Sequence, residues 1–167
     1  MGNSERYIQE KDVNGEKEMS QKELEIALEQ MKKSICKIKC NEKNGTGFFL
    51  NIINANDWTS IKAIVTNNHI LEEEDILPGK IINYSFNNGQ NKYISIDESR
   101  KTYTSKKYDI SIVEMKPNDG INMDSFLDID NRVRENDLKA IFKEKQIYLL
   151  HYPKGIEPKY LAEKLKI

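Results

Sequence analysis

The chain has 167 residues, 32% charged and 38% hydrophobic, with 26 basic against 27 acidic side chains and a net charge of −1. That length suits one domain, or one domain and part of another, with room for a real core. The balanced charge gives no electrostatic basis for binding nucleic acid or an anionic membrane, and no apolar run approaches the ~20 residues that cross a bilayer.

Residues 1–20 are polar and aperiodic and read as a flexible tail. They carry no signal-peptide pattern, and Arg6 stands where a myristoylation motif needs Ser or Thr. Ser20 and Glu23 form a capping box that opens an amphipathic helix over 21–33. Leu24, Ala27, Leu28 and Met31 share the face expected to pack on the main domain.

From 34 to 116 the pattern is that of short strands bounded by turn residues, which argues for an antiparallel barrel or sandwich. The strands expected are Ser34–Cys40, Thr46–Ile52, Ile61–Thr66, Ile81–Phe86, Tyr93–Ile96 and Asp109–Met115. Asn41–Gly45, Pro78-Gly79 and Asn87-Asn88-Gly89 supply turns, Asn54–Ser60 is a loop holding Trp58, and Tyr103 to Tyr108 reads as a polar approach. Ile70–Glu74 suits a single helical turn with a solvated acidic face.

Cys36 and Cys40 alternate with Lys37 and Lys39, so both thiols face one side, the core. At about 3.3 Å per residue they lie roughly 13 Å apart, beyond the about 7 Å limit for a disulfide. Free buried thiols and the lack of a signal peptide suit a reducing, cytoplasmic setting. A zinc site from Cys36, Cys40, His69 and His151 is disfavoured, because an extended Cys-x-x-x-Cys splays its ligands, and no metal or cofactor is expected.

Residues 117–145 are acidic and rich in Asn and Asp, with Phe126–Ile129 as an apolar island, and read as a connector. Gln146–His151 is a further strand closed by Tyr152-Pro153-Lys154-Gly155, and Pro158–Ile167 suits either strand or helix.

One stretch carries chemistry. Ile61–Thr66 is an apolar strand that runs through Asn67 and Asn68 to His69, which places an imidazole at the end of a rigid element, where a general base belongs. Gly45-Thr46-Gly47-Phe48-Phe49, Thr66-Asn67-Asn68-His69-Ile70 and Asp109-Ile110-Ser111-Ile112-Val113 together resemble three successive blocks of the trypsin-like (chymotrypsin-fold) serine peptidases, of the intracellular, disulfide-free branch. Ile147–Gly155 is similar to the first strand of that family's second barrel. The resemblance covers roughly residues 34–155 and implies an all-β fold. Its parts would be the amphipathic helix, a six-stranded antiparallel chymotrypsin-like barrel over 34–116, and an incomplete second barrel from 146 to 167.

It further implies serine-endopeptidase chemistry, with His69 as general base and Asp109 as the carboxylate that orients it. No Gly-x-Ser-Gly-Gly turn, the family's nucleophile motif, occurs in the sequence, and none of Ser34, Ser60, Ser85, Ser95, Ser99, Ser105, Ser111 or Ser125 has comparable glycine neighbours. The chain is therefore expected to be the first half of such an enzyme, inactive by itself, acting on a polypeptide substrate only when completed by a second barrel. The alternative is a non-catalytic binding module on the same barrel, meeting a protein partner at exposed strand edges such as Ile147–Leu150.

Overall fold

The computed structural model describes residues 20–53, 59–86, 89–129, 146–151 and 161–166. The expected tail up to residue 19, the Trp58 segment, Asn87-Asn88, the connector over 130–145 and the turn at 152–155 lie outside the described residues.

The capping-box helix forms as α1 (Gln21–Ser34). Lys32 and Lys33 occupy its last turn, where cations offset the helix dipole. Met31 is buried, Ala27 and Leu28 are half-buried, and Glu29 and Gln30 are exposed. The apolar face packs on the sheet, as the spacing predicts. The helix passes directly into β1 (Ile35–Cys40), so the strand begins one residue later than the sequence suggests.

β1 pairs antiparallel with β2 (Lys43–Ile53), and β2 with β3 (Ser60–Thr66). β4 (Ile81–Ser85) pairs with β1 and then with β5 (Asn91–Ser95). β6 (Thr102–Ser105) pairs with β7 (Ile110–Glu114), which returns beside β3. The order β5-β4-β1-β2-β3-β7-β6 is an antiparallel sheet curled into a half-barrel. It has seven strands, not the expected six. The additional strand, β6, lies in the stretch read as a polar approach: Thr102 and Tyr103 are exposed, so no apolar alternation announces it. Within the connector, β8 (Leu127–Asp128) adds parallel to β2, and 3-10 turns form at Pro117–Asp119 and Met123–Ser125. β9 (Gln146–His151) and β10 (Leu161–Lys166) make a separate antiparallel pair, so that of the stretch read as either strand or helix, Leu161–Lys166 is strand.

The sheet's concave side is the core. Cys36, Ile38, Phe49, Ile64, Ile82, Tyr84, Ile94 and Val113 are all buried there. Phe49 sits among Tyr84, Phe86 and Phe126, each with its ring centroid 5.8 Å away. Phe126 thereby accounts for the apolar island of the connector. Gly47 is a glycine for lack of space: a Cβ there would lie 2.5 Å from Ile38 Cδ1. The end of β3 is buried on both faces, at Ala63, Ile64, Val65 and Thr66.

The end strands β5 and β6 are joined by residues 96–101, and this corner is braced. Arg100 donates to Asp119 Oδ2 at 2.7 Å, to Asp119 Oδ1 at 3.0 Å and to the Glu114 carbonyl at 2.6 Å. Lys116 Nζ reaches both Asp97 oxygens at 2.9 Å. The Ser99 hydroxyl, and after it Lys116, hold the Asp97 carboxyl far below the ordinary carboxylate range.

Phe49→Ala removes the ring on which three others pack. It is expected to cost about 3–5 kcal/mol of stability, read as a fall in the urea midpoint. A change below about 1 kcal/mol would show that the aromatic cluster does not hold the core together.

Candidate active site

β3 and β7 run antiparallel with Thr66 opposite Ser111. The chain leaving β3 and the chain entering β7 therefore meet at one end of the sheet. His69 lies three residues past the end of β3, and Asp109 immediately precedes β7. They are 40 residues apart in sequence, yet His69 Nδ1 and Asp109 Oδ2 are 2.8 Å apart.

Several contacts fix the histidine turn. The amides of Ile70 and Leu71 both donate to the Asn67 carbonyl, at 3.1 and 3.2 Å. Thr66 Oγ1 donates to the Thr46 carbonyl at 2.8 Å. Asn68 is buried and donates to Ser111 Oγ at 3.2 Å, and that hydroxyl donates to the Leu71 carbonyl at 2.6 Å. Ile70 packs against Gly45, where a Cβ would lie 2.6 Å from Ile70 Cγ1. The first glycine of the Gly45-Thr46-Gly47 block thus makes room for the residue after His69, and the second makes room for the core.

Asp109 has φ +48, in the left-handed region, so it closes the turn before β7 rather than starting the strand as the sequence suggests. Aspartate is one of the few non-glycine residues that enter this region readily. Its carboxylate accepts from the His69 amide (Oδ1, 2.9 Å) and faces His69 Nδ1 and Asn67 Nδ2 with Oδ2 (2.8 and 3.0 Å). The His69 amide, then the His69 ring and Asn67, hold the Asp109 carboxyl below its ordinary range, against the opposing effect of desolvation.

An ionised carboxylate only accepts, so the pair is satisfied when Nδ1 carries the proton. Nε2 then bears the lone pair on the ring edge facing away from Asp109. The His69 side chain is 64% exposed and that of Asp109 46%. This arrangement can remove a proton from a group brought to Nε2 and stabilise the resulting imidazolium.

The structure brings together the two residues singled out from the sequence, and it brings in Asn67, which sequence reasoning passed over. The chain is rich in asparagine, and only the fold shows which asparagine meets the acid. Ser111 is structural, its hydroxyl committed to Leu71 and Asn68. Cys36 and Cys40 are free and buried. Burial raises the thiol of Cys36 strongly, and burial together with the neighbouring Asp75 pushes that of Cys40 up to about 11, so neither is a thiolate nucleophile at neutral pH. Among the described residues no group of three or more His, Cys, Asp or Glu could hold a metal ion; the side chain of His151 is not among those described. Among them also no helix is long and apolar enough to cross a membrane.

No protein-family model matches the chain, and no curated protein or solved structure matches it significantly.

The Asp109 carboxyl is depressed in the folded state, so its contribution to stability is complete above the ordinary value of about 3.9 and is lost as pH falls through the folded value. Native protein is therefore expected to be more stable than Asp109→Asn at pH 7, with the gap in urea midpoint closing as pH falls below about 4. A gap that does not change with pH would show that the carboxylate charge is not held by His69 and Asn67.

Proposed function

We propose that this chain carries the general base and the orienting carboxylate of a trypsin-like serine endopeptidase. The observation behind the reading is the contact of His69 Nδ1 with Asp109 Oδ2 at 2.8 Å, made across 40 residues by the meeting ends of two neighbouring strands. Two further features support it. The three sequence blocks occur in the family's order, and the sheet order β5-β4-β1-β2-β3-β7-β6, with its end strands joined through the braced corner at 96–101, is compatible with a chymotrypsin-like first barrel.

In this reading His69 Nε2 accepts the proton of a serine hydroxyl as the oxygen attacks the peptide carbonyl. Asp109 holds the ring and stabilises the imidazolium. His69 then returns the proton to the departing amine, and a water repeats the cycle to release the acyl group. The serine and the oxyanion donors would come from a Gly-x-Ser-Gly-Gly turn that these 167 residues do not contain. The substrate would be a polypeptide, and no metal or cofactor enters the mechanism.

A second reading, a non-catalytic protein-binding module on the same sheet, is favoured by that missing motif alone. A fluorophosphonate probe, which labels activated serines, separates the two in cells that make the native protein. Under the peptidase reading, a labelled serine is captured on the same polypeptide as His69 or on one bound to it. His69→Ala is expected to cut labelling by on the order of 10³-fold or more. Capture of this chain without a labelled serine, or labelling that His69→Ala leaves unchanged, would favour the binding module.

A further inference from the structure

We propose that Asn67 is a positioning residue for the His69–Asp109 pair, its side-chain amide holding both the carboxylate and the backbone of Asp109. The acid–base unit is thereby complete within two adjoining turns of one sheet. The proposal rests on the reading of His69 as a base.

Asn67 Nδ2 lies 3.0 Å from Asp109 Oδ2 and 3.3 Å from the Asp109 main-chain oxygen. Both partners are acceptors, so only the NH₂ end of the amide can face them; the opposite orientation would set the amide oxygen against a carboxylate. Its two hydrogens match the two acceptors.

The two contacts do different work. The carboxylate torsion of an aspartate is broad and roughly two-fold, so one fixed oxygen does not by itself fix the other. The His69 amide holds Oδ1 at 2.9 Å, and Asn67 holds Oδ2 at 3.0 Å, which leaves Oδ2 aimed at Nδ1. The contact with the main-chain oxygen anchors the residue whose φ is +48. The neighbouring asparagine has another task. Asn68 is buried and its side chain ties the histidine turn to Ser111, whereas the side chain of Asn67 is exposed and meets the acid's side of the site. An exposed residue packs no core, so its contacts with Asp109 are what its loss removes.

The consequence is a histidine held in one tautomer. An unrestrained imidazole favours the Nε2–H form, in which Nε2 cannot accept a proton. A carboxylate fixed at Nδ1 reverses that preference. Asn67 and the His69 amide together would keep the reversal in place.

The test is ¹⁵N NMR of the imidazole nitrogens in protein labelled at histidine, read at a pH where the His69 ring is neutral. Native protein is expected to show mainly Nδ1–H at His69. Asn67→Ala should lower the ratio of Nδ1–H to Nε2–H several-fold, with the urea midpoint little changed. Asn67→Asp, of the same shape but without donors, should lower it at least as far, and Asn67→Ser, which keeps one shorter donor, should fall between. A native-like ratio in both Asn67→Ala and Asn67→Asp would overturn the proposal, as would a lowered urea midpoint with the ratio intact. Should Asn67→Ala not fold, Asn67→Ser and Asn67→Asp decide by the same criteria. Asp109→Asn separates this failure from that of the base assignment. If it changes the ratio and Asn67→Ala does not, only the role of Asn67 is lost; if it too leaves the ratio native, the His69–Asp109 pair itself is not operating.

Discussion

The pairing of β3 with β7 governs the site. Thr66 opposite Ser111 sets how far each chain runs before it turns, and so sets Asp109 beside His69. A slip of one residue would move Ser111 and Val113 from the core face to the outside and carry Asp109 away from the imidazole. The register is therefore enforced by the core, where Ile64 and Val113 are both buried, as much as by the ladder itself.

Around that pairing, small features do specific work. Gly45 lets Ile70 approach, and Gly47 lets Ile38 fill the core, so a single hairpin block serves both the histidine turn and the hydrophobic interior. The hydroxyl of Ser111 belongs to the same scheme, joining β7 to the segment that follows His69 through Leu71 and Asn68. At the other end of β7, Arg100 reaches the Glu114 carbonyl and Asp119 and braces the bend between β5 and β6. The strand that carries the acid's side of the site is held at both ends. The pair itself stands in water, with His69 64% exposed, so solvent screens its electrostatic coupling. In the proposed enzyme the surface that brings the nucleophile would also exclude that water, which strengthens each hydrogen bond of the site.

Much of this was legible in the sequence, for physical reasons that can be named. Strands with one face in the core alternate, so Cys36, Ile38 and Cys40 against Lys37 and Lys39 announced β1, and Asn41 marked the turn after it, although Lys43–Gly45, read as part of that turn, already pair with β1. The capping box and the spacing of Ala27, Leu28 and Met31 announced α1. β6 was missed because Thr102–Ser105 lacks that alternation, and β8 because two residues carry no period. The left-handed backbone of Asp109 was hidden because aspartate occurs in strands, turns and caps alike. The residues His69 and Asp109 stood out through a resemblance of ordered blocks. Asn67 had no such signal, since its partner is remote in sequence and its residue type is common in this chain. The brace of Arg100 on Asp119 was equally hidden, being a contact between segments with no shared pattern.

The most direct test of the account is the proton NMR spectrum of the native chain in the far-downfield region where hydrogen-bonded imidazole protons resonate. A His69 Nδ1–H resonance is predicted there, lost in both Asp109→Asn and His69→Ala while the rest of the spectrum keeps its folded dispersion. The absence of this resonance from the native protein at low temperature, or its survival in folded Asp109→Asn, would contradict the claim that the ends of β3 and β7 deliver a carboxylate-held histidine.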